Sequence, residues 1–281
     1  MPETKDNPVT ALAAARSFLF VPGDRPERFG KALASGADQV IIDLEDAVGP
    51  ARKAEARAAI AAWLPTAPRP VVLRINAADS PHFAADLALG EHPAIAGIVL
   101  PKAELASALA QVREAAPRAA LLPLVESARG LAQAASLAAE PGVVRLMFGS
   151  VDFQIDLGIP DEGAPLAAFR SQLVLASRLG GAASPVDGVT PALDDAEALR
   201  ADVARARAFG FTGKLCIHPR QVEAVNAGFM PSEREIAWAR RILSAAVAGV
   251  DTAAIAVDGE MVDRPVILKA QSILRRAGET V

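Results

Sequence analysis

The chain has 281 residues, 52% of them apolar and 22% charged, a composition that excludes a disordered or fibrous protein and predicts a soluble globular one. Its 29 basic and 33 acidic side chains leave a net charge of −4 with no Lys/Arg-rich run, which argues against nucleic acid as a partner. One cysteine, Cys216, excludes an intrachain disulfide framework and makes a cytoplasmic location the default, and no stretch reaches the ~18 apolar residues of a membrane span.

Short β-branched runs alternate with longer Ala/Leu/Arg/Glu segments at helical spacing, the pattern of consecutive β/α units on a parallel sheet. Residues 1–15 are expected to form a flexible N-terminus. Strands are predicted at Ser17–Val21, Gln39–Asp43, Val71–Ile75, Gly97–Leu100, Leu121–Val125 and Arg145–Phe148, with a weak one near Ala183–Val186 and a last at Lys214–Ile217. Eight runs in a chain of this length favour a closed (β/α)8 TIM barrel over an open doubly wound sheet.

Among the connecting segments, Pro26 suits the first turn of a helix, and Ala51–Trp63 carries Glu and Arg at i, i+3 or i+4. Asp194–Phe209 starts with acidic cap candidates and is stopped by Gly210. Beyond the eighth strand the sequence predicts a helix over Ser232–Val247, a short hairpin within Ala254–Met261 around Asp258-Gly259, and a last helix from about Arg264 to Arg276. The barrel is therefore expected over residues 16–249, and a C-terminal extension over 250–281. The extension could cover the barrel or a neighbouring subunit, or be an extra packed helix.

In such a barrel function sits where strands end and loops begin. Those ends are polar here: Pro22-Gly23-Asp24-Arg25, Asp43-Leu44-Glu45-Asp46, Arg74 and Asn76, Pro101-Lys102, Glu126-Ser127, and Gly149-Ser150-Val151-Asp152. Glu126 and Asp152 are one β/α unit apart, so they fall on neighbouring strands about 4.8 Å from each other. Two carboxylates plus waters and substrate oxygens are how Mg²⁺ is commonly held. The alternative is that each carboxylate caps the following helix or pairs with Arg129 or Lys102. Arg74 could reach the same mouth with a fork suited to a carboxylate or enolate oxygen, or could simply neutralise the acidic rim.

His218 follows the eighth strand and is expected to satisfy loop backbone groups, and Cys216, inside an apolar strand, to be inert. No histidine lies at metal-ligand spacing from another, and the dinucleotide, P-loop and serine-hydrolase motifs are lacking.

The runs RSFLFVPGDRPERFGKA, DQVIIDLEDAV, VVLRIN, GIVLPK, LLPLVESARG, LMFGSVDF, KLCIHPRQV and GEMVDRPV occur in that order from Arg16 to beyond Val262. Together they resemble the citrate lyase β-subunit and malyl-CoA lyase family, within the HpcH/HpaI aldolase/citrate lyase superfamily. The resemblance implies a Mg²⁺-dependent barrel, Mn²⁺ being the alternative ion, that makes or breaks a carbon–carbon bond between an acyl-CoA and a 2-oxo acid. CoA then enters as part of the substrate.

Matched by motif, Glu126 and Asp152 would be metal ligands, with Glu126 also facing substrate. Arg74 would bind the thioester or enolate oxygen, and the backbone around Gly149 and Ser150 the oxo-acid carboxylate. Glu45 and Asp46 would hold metal-bound water, while Asp43 could equally stabilise its own loop. Asp263 corresponds to an acid/base contributed by a neighbouring subunit, which implies a homotrimer or hexamer. Arg25, and less securely Lys31, would meet CoA phosphates.

Some relatives add thioester hydrolysis. Two other readings stay open: a CoA-independent pyruvate-type class II aldolase, and a non-autonomous β subunit of a citrate lyase complex. The lack of a histidine after the first two strands, together with Arg25 and Asp263, counts against the aldolase.

Overall fold

The eight apolar runs come out as eight parallel strands in a closed barrel, each hydrogen-bonded to the next in sequence order. A computed structural model describes residues 8–248, 255–257 and 260–279. The chain divides into two compact units, Met1–Asn226 and Ala227–Val281. The second of these units begins inside the helix that follows the last barrel strand.

The first unit runs α1 (Pro8–Ala14), β1 (Ser17–Pro22), α2 (Phe29–Leu33), β2 (Gln39–Asp43), α3 (Lys53–Trp63), β3 (Val71–Arg74), α4 (Phe83–Leu87) and β4 (Ile95–Leu100). It continues with α5 (Ala106–Ala115), β5 (Ala120–Val125), α6 (Ala128–Ala132), α7 (Ala134–Ala138), β6 (Arg145–Phe148), α8 (Ser150–Leu157) and α9 (Ala167–Leu179). β7 (Ala183–Asp187), α10 (Ala196–Phe209), β8 (Gly213–Cys216) and α11 (Val222–Phe229) complete the sequence of elements. Closure is made by β8 on β1, with Phe18 opposite Leu215 and Leu19 opposite Cys216.

Strands covered on both faces are predominantly apolar, and every residue of β2 to β6 is buried, with the polar Gln39, Asp43, Arg74 and Arg145 confined to strand ends. The barrel interior is filled by Phe18, Ile41, Val72, Val99, Leu122, Leu124, Met147, Val186 and Leu215. The helix termini follow their side chains. Asp195 caps α10 by accepting the Ala198 N–H, and Gly210 ends it at φ 98°, a left-handed value that only glycine adopts without strain.

The expectation of a flexible segment over residues 1–15 is corrected from residue 8 onward. Pro8–Ala14 is helical, and Leu12 is fully buried in the barrel core, so α1 closes the floor of the barrel. Arg145, at the start of β6, locks it there. Its guanidinium is fully buried and donates to the carbonyls of Ala15 (2.5 Å), Ser184 (2.7 Å) and Pro185 (3.3 Å) and to the Thr212 hydroxyl (2.8 Å). With neutral acceptors and no carboxylate in hydrogen-bond contact, burial pulls its pKa down to about 9, so it is still a cation at neutral pH.

The second unit contains α12 (Glu233–Ala248), the antiparallel strands β9 (Ile255–Val257) and β10 (Glu260–Val262), and α13 (Arg264–Arg276). The strands match the expected hairpin, whose Asp258-Gly259 turn lies outside the described residues. Ala239 and Ile242 of α12 pack against Ala270, Ile273 and Leu274 of α13, with Val262 in the same cluster. No helix among the described residues is long and apolar enough to cross a membrane.

Candidate active site

The polar strand ends converge as the eightfold geometry requires. At the end of β2, the Asp43 carboxylate accepts the N–H groups of Glu45 (2.8 Å) and Ala47 (3.0 Å), which shapes its own loop. The same carboxylate receives a bidentate fork from Arg74, Nε at 2.7 Å and Nη2 at 2.6 Å. Asp43 is thus the brace that aims Arg74. The arginine lies over the Phe20 ring at 4.6 Å, with Nη1 3.1 Å from the Glu45 carboxylate. Burial opposes its charge, but the field and hydrogen bonds of Asp43 outweigh that, and its pKa is raised.

Glu45 is buried and raised above the usual carboxylate range by that burial, against the pull of Arg74 and of Lys102 Nζ at 3.0 Å. Its Oε2 sits beside Arg74 Nη1 without hydrogen-bond geometry and has no other partner. Lys102 also has the one positive φ (48°) of any non-glycine among the described residues. That turn points its backbone N–H at Glu126 Oε2, 2.8 Å away.

Glu126 is 4% exposed, and its pKa is pushed up to about 8, first by burial and then by the negative field of Glu45. The Lys102 N–H opposes the rise, and the nearby charge of Asp152 adds to it. Asp152, in the first turn of α8, comes from the next strand top, as the spacing required. Gly149 makes room for this pair: a Cβ there would lie 2.7 Å from Glu126 Oε1 and 3.0 Å from its Cδ.

Arg74, Asp46, Glu126, Gly149, Ser150 and Asp152 line one cavity of about 430 Å³ with an apolar floor of Phe20, Leu124, Phe148 and Leu215. Glu126 and Asp152 also border a second cavity of about 540 Å³, whose other walls include Lys102, Glu104, Arg129 and Ile155. A carboxylate pair reached from both sides, set in an excess of negative charge, fits a hard divalent cation. Two carboxylates completed by water or substrate oxygens are a common way to hold such an ion, and among the described residues no group of three or more Asp, Glu, His or Cys side chains is arranged for a metal.

Of the other expected site residues, Glu45 lines neither cavity but contacts Arg74 and Lys102, which do, while Arg25 and Lys31 are exposed and line neither. Asp263 is half-buried in the second unit and caps α13 by accepting the Val266 N–H at 3.3 Å. The alternative pairings fall out differently. Arg129 pairs with Glu104, and Lys102 contacts Glu126 through its backbone rather than its ammonium. His218 does cap its loop, accepting the Arg220 N–H, and Cys216 is buried with its thiol pushed up to about 12 by that burial.

Reading the strand ends missed Arg170, Glu162, Asp187 and Lys214, which stand in a row behind Ser150. The available signal was a charge inside an otherwise apolar run, Asp187 closing Ser184-Pro185-Val186 and Lys214 inside Gly213–Cys216.

A closed β/α barrel with paired carboxylates and a braced arginine at its C-terminal mouth defines a class of metal-assisted enzymes that act on oxo and enol oxygens. The HpcH/HpaI aldolase/citrate lyase model matches residues 16–219, and a model described as a carbon–carbon bond lyase of the TIM-barrel fold matches residues 177–278. The chain belongs to the HpcH/HpaI aldolase/citrate lyase family. It is 41% identical over 274 residues to a citrate lyase subunit beta-like protein of Mycobacterium tuberculosis, covering 95% of this chain and 97% of the relative. It is 35% identical over 270 residues to a (3S)-malyl-CoA thioesterase of Cereibacter sphaeroides, covering 93% and 94%. The crystal structure of CitE from M. tuberculosis with magnesium, acetoacetate and coenzyme A superposes with a TM-score of 0.82 at 40% identity, covering 95% of this chain and all of that one.

Proposed function

We propose that this chain is a Mg²⁺-dependent carbon–carbon lyase, or the corresponding synthase, for CoA thioesters that split into an acyl-CoA and a 2-oxo acid. The observation that carries the reading is the meeting of Glu126 and Asp152 beside Arg74 in one cavity. The magnesium, acetoacetate and coenzyme A bound to the M. tuberculosis relative support it. Glu126 and Asp152 would hold the ion, which when bound supplies Lewis-acid polarisation of a keto oxygen.

The chain's own groups do the rest. Arg74, held by Asp43, faces the thioester oxygen and stabilises the negative charge that develops there as the acyl α-carbon loses its proton. The backbone at Gly149 and Ser150, opening α8, meets the oxo-acid carboxylate with N–H donors that lack intrahelical acceptors. Glu45 and Asp46 orient water at the ion. Asp263 of a neighbouring subunit takes the α-proton in condensation and returns it in cleavage, which requires a homotrimer or hexamer. Arg25, assisted by Lys31, meets the CoA phosphates at the rim.

A second reading, thioester hydrolysis, is favoured by the malyl-CoA thioesterase relative. A panel of acyl-CoA thioesters with and without Mg²⁺, following free thiol and oxo acid separately, tests both. Oxo acid without thiol is the lyase outcome, and thiol alone is hydrolysis. Neither product from citryl, malyl or methylmalyl thioesters refutes the proposal.

A further inference from the structure

Behind Ser150, between the barrel wall and the helical layer, lies a neutral set of four charges that the reaction above does not use. Arg170 of α9 is fully buried. Its Nε donates to Asp187 Oδ1 at 3.0 Å, and its Nη2 to Glu162 Oε1 at 2.6 Å. Its Nη1 donates to the Glu162 carbonyl at 3.2 Å, and its guanidinium stands 5.5 Å from the centre of the Phe148 ring. Lys214, also fully buried and in register with Asp187 on the adjacent strand, donates through Nζ to the Gly188 carbonyl at 2.6 Å. Both ends of this set close on one group. The Ser150 hydroxyl donates to Glu162 Oε2 at 3.3 Å, and a Cβ at Gly188 would overlap Ser150 Oγ and come within 2.9 Å of Ser150 Cβ.

Burying the charges of Arg170, Asp187 and Lys214 to join β7, β8 and α9, with the half-buried Glu162 completing the set, is costly, and apolar side chains of similar volume would pack those elements as well or better. What apolar packing cannot do is fix a hydroxyl to a direction. We infer that Glu162 and Arg170 are positioning residues: through the Asp187–Arg170–Glu162 chain, rooted in the fully buried Asp187 and Arg170, with Lys214 holding Gly188 from the other side, they set Ser150 and the first turn of α8 for an oxo-acid carboxylate. The inference rests on the assignment of that subsite to Gly149 and Ser150, and it names what holds the subsite in place. Glu162 touches no reacting atom. It acts only through Ser150.

The test is a double-mutant cycle on the full chain with Glu162→Gln, Ser150→Ala and both together. Pyruvate is titrated calorimetrically in saturating Mg²⁺, and KM and kcat are measured for the oxo acid and for the acyl-CoA. Each single change is expected to weaken pyruvate about tenfold and to raise the oxo-acid KM equally, and Glu162→Gln is expected to leave kcat and the acyl-CoA KM within twofold of the unaltered chain. The double variant is expected to be no worse than Ser150→Ala alone. Multiplying effects, an unaffected Glu162→Gln, or an equal rise in the acyl-CoA KM overturns the inference.

Should Glu162→Gln unfold, Gly188→Ala asks the same question by pushing on Ser150 Oγ. Its effect on pyruvate should shrink in the Ser150→Ala background, and an undiminished effect counts against the brace. An unaltered chain that binds pyruvate but turns over no thioester overturns the reaction proposed above and leaves the cycle readable. An unaltered chain that binds no pyruvate overturns both.

Discussion

Gly149→Ala tests the carboxylate pair without touching a charge. The residue has φ −86° and ψ 72°, so alanine meets no left-handed strain, and the change acts through its new methyl alone. That methyl would stand 2.7 Å from Glu126 Oε1. It would lie closer still to Glu126 Cγ, and ordinary contact begins near 3.5 Å, so the whole side chain must withdraw by roughly 1 Å or more. Oxygen ligands of Mg²⁺ keep about 2.0–2.1 Å with a tolerance near 0.2 Å, so a shift of that size takes Glu126 out of the ligand set. We expect Mg²⁺ to weaken on the order of 10- to 100-fold, approaching Glu126→Gln, with turnover lost at ordinary Mg²⁺ and partly regained at high Mg²⁺. Calorimetric titration of Mg²⁺ into both variants, with thermal unfolding as the control for folding, reads this directly. Mg²⁺ affinity within threefold of the unaltered chain, in a variant that melts normally, refutes the placement of the ion at Glu126.

With the Glu126 carboxyl at about 8, Mg²⁺ must displace its proton below that pH. Affinity should therefore rise about tenfold per pH unit up to about 8 and level off above it, with one proton released per ion at pH 6 to 7, as titration in two buffers of different ionisation enthalpy will report. The sign for stability is opposite. A carboxyl raised in the folded state stabilises the metal-free protein fully at pH below its ordinary range, and that contribution, on the order of a few kcal/mol at most, is lost as pH rises through about 8. Melting of metal-free Glu126→Gln should lack this loss. Asp263→Asn keeps an equally good helix cap, so melting and Mg²⁺ binding should be unchanged while turnover disappears; loss of stability instead would make the residue structural only. Arg145→Met leaves several buried carbonyls without donors and should cost about 3–5 kcal/mol by denaturant titration, far more than Arg25→Met on the exposed rim.

The barrel was legible because its strands are covered on both faces and therefore read as unbroken apolar runs, set off by punctuation such as Asp195 and Gly210. The carboxylate pair was legible because a barrel turns a spacing of one β/α unit into adjacency at one rim. What escaped had no such rule behind it. Lys102 was visible as a strand-end residue, but not that it meets Glu126 through a left-handed backbone turn, and Arg170, Glu162 and Lys214 join the site through long side chains crossing between layers, which no periodicity encodes. The helix at Pro8–Ala14 reads as a loose end in sequence because two turns of small residues carry little pattern. Its buried Leu12 and the distant Arg145 make it part of the core.

The plugged base of the barrel bears on the order of events in catalysis. With Leu12, Phe18 and Arg145 stoppering the far end, nothing leaves through the base of the barrel, so ligands depart by its mouth and whatever lies deepest departs last. On the proposed function, an oxo acid seated against Glu126 and Asp152 would lie beneath any nucleotide-bearing thioester that leads in from the rim. Cleavage should then be kinetically ordered, the acyl-CoA leaving first and the oxo acid second. Product-inhibition patterns would carry that signature: oxo acid competitive with the intact thioester, acyl-CoA not.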